Sequence, residues 1–273
     1  NNDADSAVRY AEAALERVQK GESVHMKDPL HLYLAKLYEA QRQLPKAQAA
    51  YAQVTQESLQ DEALRGLLGV QLRQNDLQGG QVTLQKLLVM NDKDAILWRL
   101  QGQLYKEKGE QQQALLAYDN ALKLNADDID LRYERAMLAD EAGQFALAEA
   151  DLRRVLQAKP HDASTLNSLG YLLMIRANRL DEADALLGKA LALKPDAPEI
   201  LDSVGWLRVK QNKPQEGLPY LQRAYKLAPY GEIAAHLVEA LHLTGQKAQA
   251  KTFLQEAMQA HPNDKHLVDV EKR

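Results

Sequence analysis

The chain has 273 residues, a formal net charge of -4 at pH 7, 45% apolar and 26% charged residues, and no cysteine. That length fits two ordinary domains or one repeat array, and the composition excludes a disordered chain. The mild acidity argues against nucleic-acid binding; the lack of cysteine removes disulfides, thiolate metal sites and cysteine nucleophiles; and apolar runs such as Tyr171 to Ile175 are too short to span a bilayer.

In chain order, residues 5–20 read as one amphipathic helix with Val8, Ala11, Leu15 and Val18 on one side and Gly21 as its stop. After it, a small residue recurs at Ala47, Gly80, Ala114, Ala148, Ala183, Gly217 and Ala250, spaced 33 to 35 apart. Four residues after each comes a large apolar one: Tyr51, Leu84, Tyr118, Leu152, Leu187, Leu221 and Leu254. Offsets of this kind lie on one helical face. A second series, Ala35, Leu68, Gly102, Ala136, Gly170, Gly205 and Val238, precedes the first by 12 or 13 residues. Two small-residue series in phase describe paired helices whose backbones approach closely. Pro160, Pro195, Pro229 and Pro262 close the later units, since proline stops a helix and opens a turn.

This periodicity predicts an all-α array of seven antiparallel helix pairs over 28–262, divided as 28–60, 61–94, 95–128, 129–162, 163–197, 198–230 and 231–262. By phase, 1–27 is the second half of a repeat lacking its first half, and 263–273 is a partial C-terminal cap. The expectation is a C-terminal piece of a longer array. Gly79-Gly80 in a second helix marks an expected weak point, and the unit at 163–197 carries one extra residue near Arg176-Ala177-Asn178-Arg179.

The pattern resembles the tetratricopeptide repeat, with Trp98, Gly102 and Tyr105 matching its first helix and Ala114 and Tyr118 its second. The resemblance covers about 28–262 and implies a right-handed superhelical solenoid. Its first helices would line a concave groove that holds extended peptides or partner helices. Carried across residue by residue, it places Arg65, Arg99, Gln103, Tyr133, Met137, Asn167, Tyr171, Asp202, Trp206 and His236 on that groove. Core packing is the competing role for Met137, Tyr171 and Trp206, and plain solvation for Arg65 and Arg99. The strip lacks the consecutive Lys and Asn that some family members use to clamp a C-terminal carboxylate.

Catalytic signatures are missing. There is no Gly-rich phosphate loop, no Gly-x-Ser-x-Gly turn and no His-Glu-x-x-His pair, and the seven histidines are scattered. The acidic run Asp127, Asp128 and Asp130 falls at a helix start, where carboxylates cap amides. No enzyme activity, metal or cofactor is expected.

From Leu166-Asn167-Ser168-Leu169-Gly170-Tyr171 through Ile200-Leu201-Asp202-Ser203-Val204-Gly205-Trp206 to Glu232-Ile233-Ala234-Ala235-His236-Leu237, the last third resembles a narrower family. Its members are large proteobacterial tetratricopeptide lipoproteins of the outer membrane that partner a periplasmic carboxyl-terminal processing protease (LbcA-like). That resemblance implies an adaptor bringing the protease together with protein substrates such as cell-wall hydrolases. It also implies a periplasmic location and a lipidated anchor outside this chain. The alternatives are a scaffold of an exopolysaccharide-secretion complex and a cytosolic peptide-binding regulator.

Overall fold

A computed structural model describes residues 2–272. Among them lie sixteen α-helices, one short 3-10 turn and no strand. A lone helix, α1 (Asn2–Gln19), is followed by seven pairs: α2/α3 (Lys27–Ala40, Leu44–Tyr51), α4/α5 (Glu57–Arg73, Leu77–Met90), α6/α7 (Ala95–Glu107, Gln111–Leu124), α8/α9 (Ile129–Glu141, Phe145–Ala158), α10/α11 (Ala163–Arg176, Leu180–Leu193), α12/α13 (Pro198–Lys210, Pro214–Leu227) and α14/α15 (Gly231–Leu243, Lys247–Ala260). A final helix, α16 (Lys265–Glu271), closes the array. The pairs group into two compact units, one ending at Leu131 and one beginning at Arg132, with the division falling inside α8.

The turn within each pair has one geometry. The first helix ends on a left-handed residue: Arg42, Asn75, Gly109, Gly143, Asn178, Asn212 or Gly245. Six of these seven are Gly or Asn, the types that tolerate positive φ. The next amide then donates back five residues, as Gln43 N–H does to Tyr38 O (2.8 Å) and Glu110 N–H to Tyr105 O (2.9 Å). In the α10/α11 turn the extra residue is absorbed by a longer reach, six residues from Arg179 N–H to Leu173 O (3.0 Å).

The inter-repeat junctions share a geometry too. Lys159, Lys194, Ala228 and His261, each before a proline, are extended, as pre-proline sterics require. Asn91 and Asn125 adopt the same conformation without a proline, and Asn91 Oδ1 accepts from Lys93 N–H (3.2 Å) in an Asx turn.

The small residues sit where the paired helices cross. A Cβ on Gly102 would lie 2.3 Å from the Tyr118 ring, one on Gly170 2.7 Å from Leu187 Cγ, and one on Gly217 2.4 Å from Gly205 O. Such contacts let Tyr118, Leu152 and Leu187 bury completely, each apolar side chain contributing about 1.5–3 kcal/mol. Gly79 lies in the first turn of α5, not in its middle. Asp76 caps its amide (2.8 Å), and that carboxylate occupies the space a Cβ would take.

Polar links tie neighbouring elements together inside each unit. The buried Asp28 accepts from the backbone N–H of Thr55 (2.6 Å) and Gln56 (2.5 Å) and from the Thr55 hydroxyl (3.0 Å). Burial pushes its carboxyl up, but these donors outweigh burial and hold it below the ordinary aspartate range. In the second unit Asp151, 2% exposed, is gripped by Arg135 through Nε and Nη2 (both 2.8 Å) and by Arg132 (3.2 Å). At the ends, Val8, Ala11 and Val18 are buried, and Leu267 of α16 packs with Ala234, Ala235 and Ala257.

Candidate functional site

The first helices of the second unit carry the site. Asp162 caps α10 through Thr165 N–H (2.7 Å), Pro198 opens α12, and Gly231 opens α14, where a Cβ would overlap the Asp264 cap of α16. Together α8, α10, α12 and α14 enclose a hollow of about 280 Å³. Met137, Asn167, Tyr171 and Asp202, four of the ten positions expected from the sequence, line it, with Asp140, Glu199, Tyr230 and Glu232 around them.

Hydrogen bonds fix its walls. Tyr171 on α10 donates through its hydroxyl to Glu232 Oε1 on α14 (3.0 Å). Burial pushes the Tyr171 phenol up, and the Glu232 carboxylate adds to the shift, so Tyr171 remains a neutral donor. The Tyr133 hydroxyl lies 3.0 Å from Ser168 Oγ, linking α8 to α10. Ser203 Oγ donates to the Glu199 carbonyl one turn back (2.9 Å). Asn167 Oδ1 is buried and has no hydrogen-bond partner. An unmet buried acceptor costs about 1–3 kcal/mol, so its retention at the wall of a hollow suits a ligand that donates to it.

Beneath the hollow runs a stacked ladder. His236 Nδ1–H points at the Asp202 carboxylate, 2.9 and 3.0 Å from its two oxygens. The His236 ring stacks on Trp206, centroids 4.2 Å apart and planes 16° from parallel, and Lys210 Nζ lies 4.7 Å from the Trp206 centroid. Trp206 and His236 are 5% and 9% exposed, and neither lines the hollow. The sequence places both rings on the groove surface; the structure puts them under it. The reason is a contact between repeats: His236 on α14 needs the Asp202 carboxylate on α12, and the flat face it then presents is covered by Trp206 one turn along α12.

The remaining expected residues lie in the first unit. Arg65 is held by Asp61 and by Asp94, the cap of α6 (both 2.9 Å), and Arg99 by Asp128, the cap of α8 (3.3 Å), so both tie a first helix to the start of the next and are not merely solvated charges. Gln103 is half-buried on α6. Trp98 packs against the core of that unit and donates to Asp92 O (2.7 Å). Asp128 caps Leu131 N–H (2.9 Å), the capping role expected of the acidic run. No group of three metal-ligating side chains occurs among the described residues.

Glu199 and Glu232 were not among the expected positions. A signal for Glu232 existed: it stands four residues before His236, so the same spacing that paired the other groove positions points to it. Two other hollows carry none of the expected positions. One of about 470 Å³ lies between α1, α2 and α3, and one of about 330 Å³ between α14, α15 and α16.

Tandem helix pairs with small residues at every crossing and a recurrent left-handed turn define a helical-repeat scaffold, with its candidate site on the first helices. The chain belongs to the tetratricopeptide-repeat proteins: three models described as tetratricopeptide repeat match residues 97–128, 133–198 and 208–270. The TPR repeat-containing protein PA4667 of Pseudomonas aeruginosa is 36% identical over 220 residues, covering 78% of this chain and 36% of its own length. This chain thus spans about a third of that relative. A crystal structure of a tetratricopeptide repeat protein from Parabacteroides merdae superposes with a TM-score of 0.66 at 17% identity, over 89% of this chain and 96% of that one. Pseudomonas aeruginosa pilF gives 0.60 at 14% identity, over 78% and 96%. These two likenesses concern the fold alone.

Proposed function

We propose that the chain is a non-enzymatic scaffold whose second unit binds an extended segment of a partner protein across α8, α10, α12 and α14. The observation that carries this is the unpartnered Asn167 Oδ1 at the wall of a hollow flanked by Tyr171 and Tyr230. An amide oxygen held in place accepts a peptide N–H whatever the peptide's sequence. Neighbouring tyrosines offer flat apolar area with a polar tip and little entropy to lose.

The finer reading is an adaptor of the cell envelope. In it, the scaffold holds a periplasmic carboxyl-terminal processing protease close to its protein substrates, and a lipid anchor outside this chain ties it to the outer membrane. The support is the resemblance of the stretch from Leu166 to Leu237 to that family. The gain in rate would come from raised effective concentration, with no new chemistry in the scaffold itself.

The test is a crosslinked pull-down from envelope extract with the parent chain and with Asn167→Ala. A processing protease or its substrates recovered by the parent, and lost or strongly reduced with Asn167→Ala at unchanged helicity, is the expected result. Equal recovery by both would remove the hollow from the binding surface. Consistent recovery of secretion-machine components in place of a protease would overturn the adaptor.

A further inference from the structure

We propose that the hollow of the second unit selects a basic side chain, the ammonium of lysine or the guanidinium of arginine, on the bound segment. This rests on the reading of that face as a peptide-binding surface and adds what the segment must carry there.

The charge around the hollow is one-sided. Asp140, Glu199, Asp202 and Glu232 line it, and Lys, Arg and His are absent from its lining. Two of the four carboxylates have partners outside the lining: Asp140 pairs with Arg176 Nε (3.2 Å), and Asp202 is hydrogen-bonded to His236 Nδ1 (2.9 Å). Glu199 and Glu232 make no ion pair among the described residues, and Glu232 is met by the neutral Tyr171 hydroxyl. Three hydroxyls at the wall are engaged within the protein, Tyr171 to Glu232, Ser203 to Glu199 O, and Ser168 with Tyr133, while the exposed Tyr230 hydroxyl at the rim is not. The groups left unmatched are mostly acceptors: the buried Asn167 Oδ1 and the oxygens of Glu199 and Glu232.

A site with acceptors left over and no fixed cation is completed by a ligand that brings donors and positive charge. Lysine and arginine bring both and carry no acceptor on the head group. At about 280 Å³ the hollow lies just below the size of sites that engulf small-molecule ligands, so it suits one side chain of a longer segment. The apolar stem of such a side chain would run along Met137, Ile233 and the Tyr171 ring, and its head would reach the glutamates.

The experiment compares three labelled extended peptides, identical except for Lys, Gln or Glu at the centre, by fluorescence anisotropy at low salt. The Lys peptide should bind about tenfold more tightly than the Gln peptide, with the Glu peptide weakest, as for a partly desolvated charge pair. The preference should shrink as salt is added. In the double variant Glu199→Gln, Glu232→Gln, the Lys and Gln peptides should bind alike. The amide that replaces the second carboxylate keeps an oxygen for the Tyr171 hydroxyl, so the wall itself is retained. Equal binding of all three to the parent chain, lost on Asn167→Ala, overturns the basic preference and leaves the groove in place. If none binds, the peptide-groove reading itself fails, and this inference with it.

Discussion

Replacing Gly102 with alanine should destabilise the first unit by about 2 kcal/mol, although alanine is the better helix former. The new Cβ would lie 2.3 Å from Tyr118 Cδ1 and Cε1 and 3.2 Å from Ala114 O. Carbon atoms pack at about 3.5–4.0 Å, so the ring would have to retreat by more than an ångström. Tyr118 is 1% exposed, and Ala114 and Ala121 beside it are at 0%, so the ring has no free space to enter. Overpacking of this kind costs about 1–3 kcal/mol, here at the upper end, and the gain in helix propensity returns up to about 1 kcal/mol. Gly69 on α4 is the internal control, because a Cβ there meets nothing within 4 Å. Gly69→Ala should therefore stabilise the same unit by about 0.5–1 kcal/mol. Urea unfolding followed by circular dichroism measures both, and because both positions belong to one compact unit they report on the same transition. In a Tyr118→Ala background the penalty of Gly102→Ala should vanish. If Gly102→Ala unfolds like the parent chain, or if the penalty survives without the ring, the account of the α6/α7 crossing is refuted.

Asp151→Ala should cost about 3–5 kcal/mol in urea unfolding, because it removes the buried carboxylate that Arg135 and Arg132 share, whereas Asp151→Leu with Arg135→Met should cost less. The Asp28 carboxyl, held below its ordinary value in the folded chain, contributes stability that is present above its unfolded pKa and lost as pH falls through the folded one. Stability should therefore decline between about pH 5 and pH 2, and Asp28→Asn, already weaker at neutral pH, should show a shallower decline in the same acid titration. Trp206→Ala should lower the melting temperature through a lost buried ring, about 3–5 kcal/mol, and so makes a poor binding probe. Tyr171→Phe removes only the bond to Glu232 and should leave the melting curve within about 1 kcal/mol of the parent, which differential scanning calorimetry can check.

Much of the architecture is legible in residue spacing, because helix pairing is a local matter. A period near 34 and two helix-contact series 12 or 13 apart dictate which helices pair, and they do so within a single repeat's length. The extra residue near Asn178 shows as a break in that count, and the structure confines it to one turn whose closing hydrogen bond spans six residues instead of five. The same phase picked out Met137, Asn167, Tyr171 and Asp202, since residues four apart on successive first helices must share a face.

The fate of each side chain on that face depended on partners one or more repeats away. Asp202 and His236 are 34 residues apart and Tyr171 and Glu232 are 61 apart, so no local pattern announces either bond. Once His236 turns to Asp202, its ring stacks on Trp206 in the interior, and an aromatic that the phase set on the groove is buried instead. Arg65 and Arg99 likewise read as solvated surface charges until the folded chain brings Asp94 and Asp128, the caps of α6 and α8, beside them. Spacing along one chain determines which helices touch and which faces align. Burial, pairing and the surplus of acceptors around Asn167 are set by the stacking of repeats, because electrostatics and exclusion of water act through space and take no account of distance along the sequence.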